Sequence, residues 1–249
     1  MFVKRDFVAF YKQTILGPLW YVIQPVLTTG MFVIIFNKIA GIQTDDVPPI
    51  LFYLSGLIIW NYFSQCLIVT SNTFIKNASI FGKVYFPRLT MPIATVISNF
   101  ISFGIQFVLL LIVCFYYSKG QWPFENWLFL LWIPVVAILL ATIGLGLGLV
   151  ISALTTKYRD LSFLVSFGVQ LMMYGTPVIY SVNSVSEKYR WLILLNPVSQ
   201  LTELFRLAIL GKGYFEWNSF IYSASFSLAT LVFGMAIFNK VEKNFMDVV

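Results

Sequence analysis

Few side chains in this sequence could carry out covalent or metal chemistry. The chain has no histidine and two cysteines, so it lacks the histidine, cysteine and acid clusters that bind catalytic metals. Cys66 and Cys114 fall inside apolar runs at different predicted depths, which argues against a disulfide. The one adjacent acid pair, Asp45 and Asp46, is expected to decorate a short outer loop rather than to serve as the paired carboxylates of a glycosyltransferase.

Nucleotide and proton chemistry also lack their usual residues. The chain has no GxxxxGK[ST] motif, so it cannot bind ATP through a P-loop of its own. The run GLGLGL at 144–149 lacks the third glycine of GxGxxG and lies in a hydrophobic stretch. We therefore interpret it as close helix packing through the small pair Gly144 and Gly148. Proton-coupled carriers use acids or histidine inside the membrane, and none lies in the predicted spans.

Aromatic residues, at 18% of the chain, are the side chains best suited to binding a glycan. Their faces stack on the apolar faces of sugars, and the Tyr hydroxyl and the Trp NH can bond sugar hydroxyls. For any single one of them, packing against lipid or protein remains the competing interpretation. Those inside predicted spans include Trp20, Tyr21, Trp60, Tyr62 and Tyr174, whereas Trp122, Trp127, Trp191 and Trp217 are placed where a membrane-interface belt is expected.

A short segment at 76–92 concentrates cations and helix breakers between long uncharged runs. It contains Lys76, Lys83, Arg88, Pro87 and Pro92. The prolines fix φ and bound the segment, which favours a stiff element. Its cations can pair with acids on a partner protein or with lipid phosphates. The alternative is that they only obey the topology rule that enriches Lys and Arg in cytoplasmic loops.

The elements that position these residues are predicted to be membrane-spanning helices. The chain is 59% hydrophobic and 10% charged, whereas a typical soluble domain is about 25% charged. Six runs of more than 20 residues carry no acid or base, and roughly 20 residues of helix cross a bilayer core. We therefore predict an all-α polytopic membrane protein, one domain over residues 1–249, with six transmembrane helices at 18–36, 49–73, 92–117, 127–155, 161–180 and 217–238.

Two regions outside these spans have their own patterns. Residues 1–16 place Val3, Phe7, Tyr11 and Ile15 on one face, which predicts an N-terminal amphipathic interfacial helix, or simply a membrane anchor. Residues 191–202 form an uncharged run that Asn196-Pro197 interrupts, and twelve residues are too few to span. We predict that residues 181–213 form two short re-entrant outer helices, with an ordinary interfacial loop as the alternative.

The charges between the spans predict the orientation of the chain. With the N-terminus in the cytoplasm, the inner segments carry ten cations and four acids, and the outer segments carry six of each. The whole net charge of +6 then lies on the inner face. Because Lys and Arg are enriched in cytoplasmic loops, both termini are predicted to be cytoplasmic.

Five motifs, in this order, resemble the permease subunit of type-2 ABC exporters for polysaccharides such as O-antigen, capsule and teichoic acid. They are KRDFVAFYKQTILGPLWYVIQP at 4–25, KVYFPRLTMP at 83–92, KYRDL at 157–161, GTPVIYS at 175–181 and LNPV at 195–198. The similarity covers nearly the whole chain. KYRD or LNPV alone would be a weak signal, whereas the ordered set is specific.

The resemblance implies the type-2 ABC exporter fold and an assembly in a bacterial cytoplasmic (inner) membrane. A second copy of the chain and two separate ATPase subunits, which bind Mg-ATP, are the implied partners. The implied substrate is a lipid-linked glycan that moves outward through a channel between the two permeases, bordered by their first and fifth helices. The chain itself is then a transport subunit rather than an enzyme, with no nucleic acid as partner.

The resemblance also implies roles for individual positions. The segment at 77–91 corresponds to a coupling helix that docks on the ATPase, and the turn after the interfacial helix corresponds to the inner channel mouth. The implied coupling residues are Phe81, Lys83, Tyr85, Phe86 and Arg88; the inner mouth comprises Ile15, Leu16 and Gly17; the channel lining comprises Trp20, Tyr21, Gln24, Gln170, Met173 and Tyr174; and the outer gate comprises Gly175, Thr176, Pro177 and Tyr180.

Two other functions remain open at the level of sequence. One is a type-2 ABC permease for a drug, a lipid or an ion, which would have the same fold. The other is a channel or scaffold without energy coupling, in which the cationic segment would serve topology alone.

Overall fold

The computed structural model describes residues 17–75, 89–118, 130–155, 158 and 160–245, and every regular element in these ranges is helical. A short 3-10 turn, Gly17–Leu19, leads into the first helix, and a second one, Val182–Ser184, lies in the connection after the fifth helix. The helices are α1 (Trp20–Phe32), α2 (Pro49–Ser71), α3 (Thr90–Tyr117), α4 (Trp132–Thr155), α5 (Leu161–Tyr174), α6 (Glu187–Leu194), α7 (Pro197–Leu210) and α8 (Trp217–Phe245).

The helices form a bundle with two ends. We call the end where α1 begins the proximal end and the end where α1 stops the distal end. At the proximal end, Thr155 Oγ1 donates to the Ser71 carbonyl at 3.0 Å, joining the last turns of α4 and α2. Near the same end, the rings of Phe74 and Phe238 stack with centroids 4.6 Å apart. The connection between α1 and α2, at 40–48, lies at the distal end together with α6 and α7.

Helix α2 is the centre of the bundle. Its sequence carries no charge, and 78% of its most apolar 18-residue window is buried, as expected for a helix surrounded by others. Pro49 suits the first turn, where an amide hydrogen has no partner in the helix. At the other end, the Asn72 side chain donates to the Ile68 carbonyl at 2.9 Å.

Helix α4 approaches two neighbours closely through its glycine run. A Cβ on Gly144 would lie 2.8 Å from Cys66 Cβ, and one on Gly148 would lie 2.6 Å from Thr70 Cβ, both on α2. Gly146 faces the opposite way, where the backbones of Thr230 and Gly234 on α8 approach it. The predicted close packing is confirmed, since any larger residue at these positions would force the helices apart.

Helix α1 departs from ideal geometry twice. Pro25 lies in its interior and has no amide hydrogen for the helical ladder. After Phe32 the helix widens into a π-helix, Val33–Ile39, so that the whole apolar stretch covers 20 residues. Only 11% of its most apolar window is buried, so α1 is a peripheral helix with an open face.

Within the described ranges, five helices are long and apolar enough to cross a membrane. They correspond to the predicted first, second, third, fourth and sixth spans. The predicted fifth span at 161–180 is too long, because α5 stops at Tyr174 and the chain turns at 175–178. A sixth crossing arises if α6 and α7, which meet at an angle of 103°, are counted as one broken span. The two short helices predicted at 181–213 are therefore present, whereas their re-entrant position stays a prediction.

Candidate functional site

The turn that follows α5 holds the residues predicted to form the outer gate. Thr176 and Pro177 are buried, Tyr180 is half-buried and Gly175 is exposed. The Gly175 amide and the Thr176 hydroxyl both donate to the Met172 carbonyl, at 3.1 and 2.9 Å, and so close the last turn of α5.

A buried arginine on α7 binds this turn through its backbone. The guanidinium of Arg206 donates to the carbonyls of Pro177 and, at 2.8 Å, of Val178. It also lies 3.8 Å from the centroid of the Phe52 ring on α2, a cation–π contact. A Cβ on Gly56 would lie 2.6 Å from Arg206 Nη2, so glycine makes the room that the guanidinium occupies.

The charge of Arg206 is balanced one helical turn away. Glu203 Oε1 accepts from Arg206 Nη1 at 3.0 Å, and Glu203 Oε2 accepts from the Tyr214 amide at 3.0 Å. Both charged side chains are about 1% exposed. The Tyr214 hydroxyl donates to Glu216 at 3.1 Å, and desolvation together with that carboxylate raises the pKa of Tyr214 above its usual value.

Two further side-chain contacts hold the same distal region. The Asn196 amide nitrogen donates to Thr176 Oγ1 at 2.7 Å, while its carbonyl oxygen caps α7 by accepting from the Val198 amide at 3.1 Å. Asp45 accepts from Ser181 Oγ and, at 3.1 Å, from Asn183 Nδ2. The predicted outer-loop acid Asp45 thus ties the α1–α2 connection to the segment after the turn.

Helix α5 leaves most of its surface uncovered. Val169 is its one buried residue, and Phe163 and Phe167 are 79% and 60% exposed. Of the predicted channel-lining residues, Gln170 and Tyr174 lie on this exposed surface, and Trp20 on α1 is 42% exposed. Met173 instead packs against the hydrophobic core.

The other two predicted channel residues, Tyr21 and Gln24, line a cleft between α1, α2 and α3. Its volume is about 540 Å³. Most of its lining side chains are polar, although each of the three surrounding helices is apolar enough to cross a membrane. From α1 come Tyr21, Gln24 and Pro25; from α2 come Asn61, Tyr62, Gln65 and Val69; and from α3 come Thr95, Ser98, Asn99, Ser102, Phe103 and Gln106.

The cleft presents hydrogen-bonding groups that the protein leaves unused. In the ranges that the structure describes, the carboxamides of Gln24, Asn61, Gln65 and Gln106 have no hydrogen-bond partner. Asn99 makes one weak contact, from its Nδ2 to Cys66 Sγ at 3.8 Å. The hydroxyls of Thr95, Ser98 and Ser102 are engaged, each donating to the carbonyl four residues earlier in α3.

Sequence reasoning missed both the buried ion pair and the full cleft. Glu203 and Arg206 are among the six acids and six cations that the charge pattern assigns to the outer segments, although their i, i+3 spacing could have suggested a pair. For the cleft, the available signal was helical spacing of polar residues inside uncharged runs. Asn61 and Gln65 are one turn apart, and positions 95, 98, 99, 102 and 106 follow one face of α3.

Gly17 begins the 3-10 turn before α1 and is buried, while its φ of 48° is a conformation suited to glycine. The other predicted inner-mouth residues and all the predicted coupling residues lie outside the described ranges. These are Ile15 and Leu16, and Phe81, Lys83, Tyr85, Phe86 and Arg88.

Comparison with known proteins gives consistent matches along the chain. The profile of the family described as ABC-2 type transporter matches residues 1–210. The O-antigen export system permease protein RfbA of Klebsiella pneumoniae is 31% identical, with 98% of this chain and 92% of that protein aligned. The polysialic acid transport protein KpsM of Escherichia coli is 25% identical, with 92% and 87% aligned. The capsule polysaccharide export inner-membrane protein CtrC of Neisseria meningitidis is 21% identical, with 97% and 89% aligned.

Proposed function

The chain belongs to the ABC-2 type transporter family, and from that premise we propose that it is the membrane-spanning subunit of an ATP-driven polysaccharide exporter. Its cargo is a lipid-linked polysaccharide that crosses a bacterial cytoplasmic (inner) membrane outward. The observation that carries the proposal is the extent of the similarity, since 98% of the chain aligns with an O-antigen export permease. An alignment of that extent includes the cleft, the distal turn and the helices between them.

The proposed assembly contains two copies of this chain and two ATPase subunits that bind Mg-ATP. The sequence has no P-loop, so the energy must come from a separate chain. The open faces of α1 and α5 support a second copy, because a two-fold interface could cover both and enclose a path for the glycan. Trp20, Gln170 and Tyr174 are then candidates to line that path.

The proposed orientation places the proximal end in the cytoplasm. The last turn of α2 and the first turn of α3 lie at that end, and the cationic segment at 76–92, which separates them in sequence, is proposed to dock on an ATPase. The distal end, with α6 and α7, then faces outward. The backbone carbonyls of the turn at 175–178 are held by Arg206, which supports a fixed outer gate beside α5.

The test is deletion of the gene in its own host, with surface glycan and intracellular lipid-linked glycan both measured. We expect surface glycan to be lost and lipid-linked glycan to accumulate inside. A plasmid with the natural sequence should restore export, whereas one with Tyr85→Ala and Arg88→Glu should insert in the membrane without restoring it. Normal surface glycan in the deletion strain would contradict the glycan substrate, and full export by the double variant would contradict the coupling role.

A further inference from the structure

We propose that the cleft between α1, α2 and α3 is a binding site for neutral sugar residues, separate from the channel at the interface between copies. The inference rests on the proposed function for the source of the sugar, because the glycan cargo is the polyhydroxylated molecule that would reach it. The site itself is argued from three properties of the cleft: its size, its hydrogen-bonding groups and its charge.

The cleft has the dimensions of a ligand site. Its volume of about 540 Å³ falls within the 300–1,000 Å³ common for small-molecule sites. Its polar lining on α3 extends from Thr95 to Gln106, which is about 16 Å along the helix at 1.5 Å per residue. A short oligosaccharide fits these dimensions better than a single sugar ring.

The free polar groups of the cleft are mainly carboxamides, which suit sugar hydroxyls. Each carboxamide offers donors and an acceptor side by side, and a sugar hydroxyl is likewise both donor and acceptor. The amides of Gln24, Asn61, Gln65 and Gln106 are unpaired within the described ranges. Unpaired polar groups are costly inside a membrane, so these amides require water or a ligand. The side chains are reachable, since Gln24 and Gln65 are exposed and the other two are half-buried.

The uncharged lining and the aromatic side chains of the cleft indicate which class of ligand it would bind. No charged side chain is among the described residues that line it, so those residues offer no opposite charge to a phosphate, a carboxylate or an ammonium group. Tyr21, which is half-buried, supplies aromatic surface of the kind that packs on the apolar face of a sugar ring. Tyr62 and Phe103 also line the cleft, but they are buried and pack against each other with ring centroids 4.9 Å apart. A neutral oligosaccharide matches this combination better than a charged lipid headgroup.

The position of the cleft gives the site a role in export. Tyr21 and Gln24 lie in the first two turns of α1, so the cleft opens in the proximal half of the bundle. In the proposed orientation this is the cytoplasmic half, where the glycan begins its passage. The cleft would hold sugars near the membrane before they enter the path between the two copies.

The experiment uses the full chain in phosphatidylcholine nanodiscs, with a neutral mannotriose on a polyprenyl chain that carries a photoreactive diazirine on its terminal sugar. After illumination, mass spectrometry maps the labelled peptides. We expect labelling on peptides that contain positions 61–69 and 95–106. Replacing Asn61 and Gln65 together by Leu should raise the concentration for half-maximal labelling roughly tenfold, because two hydrogen bonds to the sugar are lost.

Two controls make the assignment specific. The variant Gln43→Leu removes a carboxamide from the α1–α2 connection, away from the cleft, and should label like the natural chain. A second double variant, Gln24→Leu with Gln106→Leu, tests the other walls of the cleft and should weaken labelling in the same way. If either cleft variant fails to fold, the map of labelled peptides in the natural chain still decides the question.

Three outcomes would overturn the inference: labelling confined to other peptides, equal labelling by a diazirine lipid without sugar, or occupation of the cleft by a second copy of the chain.

The experiments distinguish rejection of the sugar site in the cleft from rejection of the proposed function. A deletion strain that loses surface glycan, combined with labelling outside the cleft, rejects this site alone. A deletion strain with normal surface glycan rejects the glycan cargo itself.

Discussion

The distal turn and the proximal cleft are two polar regions inside an otherwise apolar bundle. They differ in whether their polar side chains are hydrogen-bonded within the protein. At the distal turn, Arg206 and Glu203 are buried and use their hydrogen bonds within the protein, although Arg206 Nε has no partner among the described residues. In the cleft, uncharged amides such as Gln65 are exposed to the cavity and unpaired within the described ranges.

The polar side chains of the distal turn stabilise the fold, whereas those of the cleft suit the binding of a ligand. Inside a membrane a charge is tolerated when it is paired, and the pair then fixes the backbone that it contacts. An unpaired but neutral amide is cheaper to keep and remains available for exchange with a ligand. The distal turn is therefore held in one conformation, whereas the cleft is suited to reversible binding of a ligand.

The largest effect on stability is expected when the distal ion pair is broken on one side. Arg206→Met leaves Glu203 buried without its partner and removes the donor to the carbonyls of Pro177 and Val178. Loss of one partner of a buried pair typically costs about 3–5 kcal/mol. Reversible unfolding in mixed micelles, followed by circular dichroism, measures the change.

A double variant provides the matched control for this prediction. Glu203→Leu combined with Arg206→Met removes both charges, so no uncompensated charge stays buried. We expect it to be more stable than Arg206→Met alone. If Arg206→Met unfolds like the natural chain, the turn is not held by this pair and the contrast between the two regions is wrong.

A smaller loss is expected at the second contact of the distal turn. Asn196→Ala removes both the donor to Thr176 and the cap of α7. Caps of this kind contribute about 1 kcal/mol, and a neutral hydrogen bond adds a similar amount, so the free energy of unfolding should fall by about 1–2 kcal/mol. Asn196→Asp keeps the cap and loses the amide donor, and it should therefore fall between the natural chain and Asn196→Ala in the same unfolding measurement. Equal stability of Asp and Ala variants would show that the cap contributes nothing.

The sequence predicts the spans of the bundle better than the details of either polar region. Long uncharged runs indicate helices such as α2 and α3 almost to their ends, because crossing a bilayer imposes a minimum length. The early stop of α5 at Tyr174 was missed, since Gly175-Thr176-Pro177 continues an uncharged run and hydropathy does not register a turn. The contacts of Arg206 with the carbonyls of Pro177 and Val178 and with the Phe52 ring are tertiary, and no local pattern encodes them.

The smallest effect on stability is expected in the cleft, and it is the sharpest test of the contrast. Gln65→Leu exchanges an exposed, unpaired amide for an apolar side chain of similar length, so no hydrogen bond of the protein is broken. Substitutions at exposed sites of this kind usually change the free energy of unfolding by less than about 0.5 kcal/mol. If Gln65→Leu lowers stability as much as Asn196→Ala does, the cleft is a structural network and not a binding site. The same variant is also introduced into the deletion strain, where glycan export is measured. Near-natural unfolding together with reduced export would show that the Gln65 amide contributes little to folding but contributes to transport.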